Sequence, residues 1–250
     1  MPTTVHIVRH AQGVHNLSNA NQLLPDPELT PLGEQQCARL RESFDRHDKI
    51  THLLSSPMRR TLQTTLLSFS PALDPPSTLK VHAVPLLQEI STLPCDVGSK
   101  PEVLAQQFPT VDFSLCAEDW MDKAPAGPNA PEYAALERRA RSAREFIRDL
   151  GRGYEGEGEA EIVVVTHGGF AHFLTGDFEG SGDGGGTGWG NAEGRTFVFE
   201  EGGEDGARLR ETEESWEGRR GGLKRLGETE QRELRVAMEG VLKEEFGGEE

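Results

Sequence analysis

Short apolar runs alternate with amphipathic segments along the first 175 residues of the chain. Four of these runs predict strands, over residues 5–8, 52–55, 81–84 and 162–165. The first run ends abruptly at Arg9-His10, and the last, which is β-branched throughout, ends at Thr166-His167. Such runs are typical of parallel strands that are buried on both faces and carry polar residues at their carboxyl ends.

The segments between these runs show the spacing of helices. Thr30 and Pro31 predict a helix start, with Thr30 as the N-cap, and the helix continues to about Phe44. Pro57 opens a second helix, and residues 132–150 predict the strongest one. The apolar stripe of that helix consists of Leu136, Ala140, Ala143, Phe146, Ile147 and Leu150. Repeated strand–helix pairs predict an α/β fold with three αβα layers around a mostly parallel central sheet.

Composition changes sharply after residue 150. The first 150 residues carry 4 of the 29 glycines and a net charge of −3, whereas the last 100 carry 25 glycines and −13. Because ordered glycine loses much entropy and like charges repel, we expect much of 176–230 to be loop or poorly ordered. The predicted division is one α/β domain over 1–200, followed by an acidic extension over 201–250. The domain contains a glycine-rich loop over 176–194 and a candidate antiparallel edge strand over 195–200. The extension contains a candidate helix over 228–245.

Overall charge limits the class of function. The 250 residues include 26 Lys and Arg against 42 Asp and Glu, which gives a net charge of −16. We expect no nucleic-acid partner and no membrane surface, because both bind to basic protein faces. The chain starts without the basic and apolar regions of a secretory signal, so a soluble, cytoplasmic protein is expected. Its oligomeric state stays open.

Cysteine usage indicates a reducing compartment. Cys37, Cys95 and Cys116 are odd in number and lack the CxxC spacing of metal sites. Neither a disulfide framework nor a zinc cage is therefore expected.

Polar residues with phosphate-binding chemistry follow several predicted strands. His10 and His167 come directly after two of them, Glu89 follows a third, and Arg59 and Arg60 open the helix after a fourth. Ligands of open α/β sheets bind beyond the carboxyl ends of the strands, so these side chains are expected at one edge of the sheet. Converging cations need an anion, and the planar guanidinium of arginine matches phosphate. The pattern predicts a phosphate-binding site.

Five motifs in order resemble the histidine phosphatase superfamily, the phosphoglycerate mutase-like group. They are Val8-Arg9-His10-Ala11 through Asn16, Leu29-Thr30-Pro31-Leu32-Gly33, Ser55-Ser56-Pro57 through Arg60-Thr61 and Gln63-Thr64, Glu89, and Val165-Thr166-His167-Gly168-Gly169. The resemblance spans roughly residues 4–175. Ala11 departs from the family pattern, which usually has glycine at this position.

The resemblance implies a covalent phosphohistidine mechanism. His10 is the implied nucleophile, and Glu89 is the implied general acid for the leaving alcohol and then the base for water. His167 is implied to stabilise the oxygens of the transferring group.

The same resemblance assigns phosphate binding to Arg9, Asn16 and Arg60. Arg60 is chosen over Arg59 because the family spacing from Ser56-Pro57 places its arginine there. No metal and no cofactor are implied, because the arginines supply the positive charge.

The predicted activity is a phosphatase that acts on a small phosphomonoester. A mutase of the same family transfers the phosphoryl group to a second substrate hydroxyl and carries an aromatic-rich stretch for the glycerate. Residues 17–28 are polar and contain no aromatic residue, so that support is missing. A non-catalytic protein that binds phosphate or a phosphorylated ligand is the other alternative.

Other parts of the sequence carry weaker signals. Specificity is expected within 90–130, where Cys95, Asp96 and Trp120 are candidate lining residues. Residues 187–191 either bend over the site or form a plain surface loop. The remaining histidines are expected to be structural or on the surface: His6, His15, His47, His52, His82 and His172.

Overall fold

The computed structural model describes residues 3–125, 127–181, 187–200 and 207–246. Within these ranges the strands are β1 (Thr3–Arg9), β2 (His52–Ser55), β3 (Val81–Ala83), β4 (Val111–Asp112), β5 (Ala160–Thr166), β6 (Gly194–Phe199) and β7 (Leu209–Glu211). The α-helices of the same ranges are α1 (Pro31–Ser43), α2 (Arg59–Ser68), α3 (Ser70–Leu73), α4 (Pro101–Gln107), α5 (Tyr133–Arg152), α6 (Gly168–Thr175), α7 (Glu213–Arg220) and α8 (Glu228–Phe246).

The strands form one mixed sheet in the order β4-β3-β2-β5-β1-β6-β7. The five strands from β4 to β1 run parallel, and β6 joins β1 and β7 in antiparallel pairs. Parallel neighbours align their carboxyl ends, so β1, β2 and β5 deliver their following residues to one edge. The predicted α/β class with a mostly parallel central sheet is confirmed.

Alternation along β1 and β5 divides the core between the two faces of the sheet. Ile7 and Val164 belong to a cluster that includes residues of α5, α6 and α8. Val8 and Val165 belong to a second cluster, which includes residues of α2 and α4. Successive side chains of a strand point to opposite faces, so these two strands supply both clusters and separate two helical layers.

Helix α1 begins as its sequence predicts and packs closely on the segment that follows β1. The Thr30 hydroxyl caps the helix by accepting a hydrogen bond of 3.0 Å from the Gly33 N–H. A Cβ at Gly33 would lie 2.2 Å from the carbonyl oxygen of Gln12, so glycine is needed for this approach. The helix thereby supports the backbone two residues beyond His10.

The structure corrects the predicted start of one helix and the predicted edge position of one strand. Helix α2 begins at Arg59, with Met58 as its N-cap, instead of at Pro57. Strand β6 is antiparallel as predicted, but it is not an edge strand because β7 pairs with its outer side.

The expectation of loop over much of 176–230 is wrong for β7 and α7. Thr212 caps α7 by accepting from the Ser215 N–H, and acidic residues occupy the first turn while Arg219 and Arg220 occupy the last. This charge order complements the helix dipole, so negative net charge did not prevent a helix. Residues 182–186 and 201–206 of the same prediction lie outside the described residues.

The end of the chain packs on the main core. Met238 and Leu242 of α8 are buried in the same cluster as Leu136 and Ile147 of α5. The division at residue 200 stays a prediction, although β7 and α8 beyond it contribute to the sheet and the core. Among the described helices, none combines the length and the apolar character that crossing a membrane requires.

Candidate active site

The carboxyl ends of β1, β2 and β5 bring the predicted site residues together. The backbone N–H of His10 donates to the Thr166 carbonyl at 2.9 Å, and that of Ser56 donates to Val165 at 2.9 Å. The rings of His10 and His167 consequently lie 5.2 Å apart between centroids, although the two residues are 157 positions apart in the chain. Two imidazoles from distant segments therefore face one small volume.

The His10 ring is held in one tautomer. Its Nδ1 lies 2.7 Å from the Ala11 carbonyl oxygen, which can only accept, so Nδ1 carries the proton. The lone pair then lies on Nε2. Burial, with the nearby Arg60 and Arg9 charges, holds the pKa of His10 well below its ordinary value. A neutral imidazole with a free Nε2 is the form that can act as a nucleophile.

Arg60 is fully buried in the first turn of α2 and makes three hydrogen bonds. It donates to the Cys95 carbonyl at 2.7 Å, to Asp96 Oδ1 at 2.6 Å and to His167 Nδ1 at 3.0 Å. Because His167 accepts at Nδ1, its Nε2 carries the proton and donates to Ser56 Oγ at 2.8 Å. Burial and the Arg60 charge hold the pKa of His167 well below its ordinary value. The guanidinium therefore orients the second imidazole.

Arg9 reaches the site from the end of β1. One of its terminal nitrogens donates to the Trp189 carbonyl, and Asn191 donates to the His10 carbonyl at 3.2 Å. Residues 187–191 therefore contact the site, as one of the two predicted arrangements requires. Burial lowers the pKa of Arg9, although the Glu89 charge opposes this effect.

Arg9 and Arg60 each have one buried guanidinium nitrogen that lacks a partner. Nε of Arg9 and Nε of Arg60 are both enclosed without a hydrogen-bond acceptor anywhere in the described part of the chain. An unsatisfied buried donor on a charged group is costly, and an anion of suitable geometry removes this cost. The chemistry of these two donors fits a bound phosphate.

Glu89 lies at the N-terminus of α6. Its carboxylate accepts hydrogen bonds from the backbone N–H groups of Gly169 at 3.2 Å, Phe170 at 2.8 Å and Ile90 at 2.9 Å. A Cβ at Gly169 would lie 2.6 Å from Glu89 Oε1, so glycine at this position admits the carboxylate. The side chain is half-buried, and its charge also acts on Arg9.

Two predicted neighbours take different places. Asn16 is exposed on a short 3-10 helix (Val14–Leu17), and its Oδ1 accepts from the Gly13 N–H at 3.0 Å. Its role in phosphate binding stays a prediction. Arg59 donates through Nε to Gln107 at 2.9 Å, on the outside of α2. Of the two adjacent arginines, Arg60 is the one that contacts the site residues.

The comparisons with known proteins agree with this geometry. The family model of the histidine phosphatase superfamily (branch 1) matches residues 5–219. The chain belongs to this superfamily.

Relatives extend the comparison to named proteins. A probable phosphatase of Schizosaccharomyces pombe is 31% identical over 167 residues, which covers 66% of this chain and 74% of that protein. A phosphoglycerate mutase-like protein of Arabidopsis thaliana is 29% identical over 213 residues, covering 70% and 74%. The phosphoglycerate mutase structure from Bacillus anthracis shares the fold, with a TM-score of 0.53, 17% identity and coverage of 84% and 92%. Family membership and the phosphatase relative together support a phosphatase.

Ala11 marks where this chain departs from the usual glycine of the superfamily. The residue is fully buried, and its N–H donates to Thr64 Oγ1 at 3.0 Å. Its carbonyl accepts the His10 ring proton, so the alanine backbone provides the contact that orients the His10 ring.

Two residues outside the superfamily motifs, Asp96 and Lys123, also contact the site. Asp96, a candidate from its position, binds Arg60, whereas Trp120 donates to Ser99 at 3.2 Å. Lys123 was not predicted from the sequence. Its buried Nζ donates to the Glu89 carbonyl at 2.9 Å and to the Asp96 carbonyl at 3.0 Å. Burial lowers the pKa of Lys123 to about 8, although the Asp96 charge opposes this.

His15 is the other residue that the sequence analysis misplaced. Its ring centroid lies 5.3 Å from that of His10, so it belongs to the site instead of to the surface. Only its distance of five positions from His10 could have indicated this. Among the described residues, no group of three or more His, Cys, Asp and Glu side chains is placed to hold a metal ion.

Proposed function

We propose that this protein is a metal-independent phosphatase that hydrolyses a small phosphomonoester through a phosphohistidine intermediate. The observation that carries the proposal is the 5.2 Å spacing of the His10 and His167 rings, beside two unpaired buried arginine nitrogens. Two imidazoles and two unpaired guanidinium donors in one place are suited to a tetrahedral dianion. Membership of the histidine phosphatase superfamily supports the same activity.

In the first step, His10 Nε2 attacks phosphorus in line with the ester oxygen. The P–N bond forms while the P–O bond to the alcohol breaks, and Glu89 gives its proton to the departing oxygen. Arg9 and Arg60 offset the charge that spreads over the three equatorial oxygens, and the Nε2–H of His167 turns from Ser56 Oγ to donate to one of these oxygens.

In the second step, water attacks the phosphohistidine. Glu89, now ionised, takes the proton of the water, the P–N bond breaks, and inorganic phosphate leaves while His10 returns to its neutral form. The Ala11 carbonyl fixes the His10 ring throughout, because Nδ1 keeps its hydrogen bond while Nε2 forms and loses its bond to phosphorus.

The activity test is phosphate release from p-nitrophenyl phosphate in the presence of EDTA. We expect turnover to be unaffected by the chelator, because the guanidiniums supply the positive charge that a divalent ion would provide. A loss of turnover with EDTA that returns on adding Mg²⁺ or Zn²⁺ would contradict the metal-independent mechanism.

The same assay separates the alternative functions. A mutase would convert a phosphorylated substrate into its positional isomer faster than it releases phosphate. A non-catalytic binding protein would bind inorganic phosphate in calorimetry and release none from any member of a panel of phosphorylated metabolites.

Replacing Glu89 by glutamine tests the general acid. The amide oxygen can keep the two hydrogen bonds that Oε1 accepts from Ile90 and Phe170, whereas the longer one from Gly169 to Oε2 is lost. The side chain no longer supplies an acidic proton. For an alkyl phosphate we expect kcat to fall about 10²-fold or more. For p-nitrophenyl phosphate, whose phenolate leaves without a proton, we expect formation of the phosphohistidine to be much less affected.

The control for this variant is Glu145→Gln, at a partly exposed carboxylate of α5 that pairs with Arg141 at 3.1 Å. Its activity should stay near that of the native protein on both substrates. Equal losses on both substrates in Glu89→Gln, in burst measurements of the first step, would exclude Glu89 as the acid of that step.

A further inference from the structure

His15 has chemistry that the phosphohistidine mechanism does not use. It lies on the 3-10 helix Val14–Leu17, and its ring centroid is 5.3 Å from that of His10 with the planes tilted by 50°. The ring of His10 thus has two imidazole neighbours at almost equal distance, His15 and His167. The second of these already has partners at both nitrogens.

The ring nitrogens of His15 are free of protein partners in the described ranges. Nδ1 is enclosed without a hydrogen bond, and the edge formed by Nδ1 and Cε1 lies over Gly13. The residue as a whole is only half-buried. Nε2 is therefore the nitrogen that can reach a group bound at the site, and a donor proton is best placed there.

The charges around His15 favour an anion beside it. Burial, followed by the Arg60 and Arg9 charges, lowers the pKa of His15 to about 3, while the Asp96 charge acts in the opposite direction. The ring is consequently neutral, and the surrounding field is dominated by two arginines. A neutral N–H donor in a positive field is suited to a phosphoryl oxygen.

We propose that His15 is a further phosphoryl-binding residue, whose Nε2–H donates a hydrogen bond to an oxygen of the group bound at His10. The proposal rests on the proposed function, because it assumes that a phosphoryl group occupies the volume between the arginines. It adds a third imidazole to the site and gives the segment from Gly13 to Asn16 a direct part in binding.

The first test compares His15→Ala, His15→Gln and His15→Asn by calorimetric titration with inorganic phosphate. The glutamine amide nitrogen reaches the position of Nε2, whereas that of asparagine reaches only Nδ1. We expect the Kd for phosphate to rise about tenfold or more in the alanine and asparagine variants, because each loses one hydrogen bond to a charged group. The glutamine variant should retain most of the affinity.

His82→Ala is the matched control for these variants. His82 is a half-buried histidine of β3 with its own carboxylate neighbour, Asp112, at 3.4 Å. It lies on a different part of the sheet, and we expect phosphate affinity to be unchanged by its removal.

Gly13→Ala tests the same contact without altering His15. A Cβ at Gly13 would lie 2.8 Å from Cε1 and Nδ1 of the His15 ring, so the ring must move. The φ of Gly13 is −93°, which alanine adopts freely. We expect weaker phosphate binding in Gly13→Ala, and no additional loss when Gly13→Ala is combined with His15→Ala, because both remove one interaction.

Two outcomes would overturn the proposal. One is native phosphate affinity in folded His15→Ala, and the other is full additivity of the Gly13 and His15 substitutions. Failure of the proposed function gives a different result, in which the native protein itself neither binds inorganic phosphate nor releases it from any ester.

Discussion

His10→Ala is expected to reduce turnover of every phosphomonoester by about 10³-fold or more, because the proposed nucleophile is lost. His167 cannot substitute for it, since its Nδ1 accepts from Arg60 and its Nε2 donates to Ser56. The remaining arginines still bind phosphate, so the variant should lose kcat while phosphate affinity changes much less. Steady-state kinetics and phosphate titration of the same preparation measure the two effects.

The intermediate itself provides an independent measurement for this prediction. Rapid acid-free quenching of native protein with radiolabelled substrate should trap a phosphoenzyme that is labile in acid and stable in base, as a phosphoramidate is. His10→Ala should show none, and His52→Ala, at a half-buried histidine of β2, should show the native amount. A phosphoenzyme that persists in His10→Ala would assign the nucleophile to another residue.

Much of the fold could be predicted because its elements satisfy local rules. Thr30 and Pro31 mark the start of α1 by side-chain chemistry, and the apolar residues of α5 repeat with helical period. Strands such as β5 are apolar because both faces are covered. In each case the local signal and the tertiary environment agree.

The less predictable elements depend on tertiary contacts. Strand β4 has two residues, and β7 has three that alternate in burial, Leu209 and Glu211 facing inward. Glu211 is buried because it pairs with Arg219 at 2.7 Å. A carboxylate at a buried strand position carries no apolar signal, so β7 could not be recognised from its hydrophobic pattern.

The candidate site likewise contains residues that could be placed from the sequence and residues that could not. Residues directly after strands, such as His10 and His167, could be placed because the sheet edge collects them. Asp96 and Lys123 lie in a segment of turns and short helices, where no period relates sequence to position. Their contacts with Arg60 and Glu89 arise from the path of the loop, which only the three-dimensional structure shows.

Arg60→Met is expected to cause the largest combined loss, in activity and in stability. Arg60 is fully buried, and its removal leaves the Asp96 carboxylate, itself nearly buried, without its cation. Breaking one partner of a buried ion pair costs about 3–5 kcal/mol of unfolding free energy. Activity should fall about 10²-fold or more, because a donor to the transferring phosphoryl group is lost and His167 loses its orienting contact.

Arg59→Met is the control at the adjacent position of α2. Its side chain is partly exposed, with a Gln107 hydrogen bond of 2.9 Å and an Asp26 carboxylate oxygen at 3.9 Å. The Asp26 carboxylate is buried, but it also accepts from the backbone N–H groups of Arg59 at 2.9 Å and Ser99 at 3.1 Å, which the substitution leaves in place. We therefore expect a smaller loss of unfolding free energy than in Arg60→Met, with activity near the native level. The comparison therefore isolates the buried guanidinium from the general effect of losing an arginine here.

The double variant Arg60→Met/Asp96→Asn separates the two roles. Neutralising Asp96 removes the uncompensated buried charge, so part of the lost unfolding free energy should return in chemical denaturation. Turnover should not return, because neither methionine nor asparagine supplies positive charge to the phosphoryl group. Recovery of activity together with stability would mean that Arg60 acts only as the structural partner of Asp96, and the phosphoryl-binding role would then be wrong.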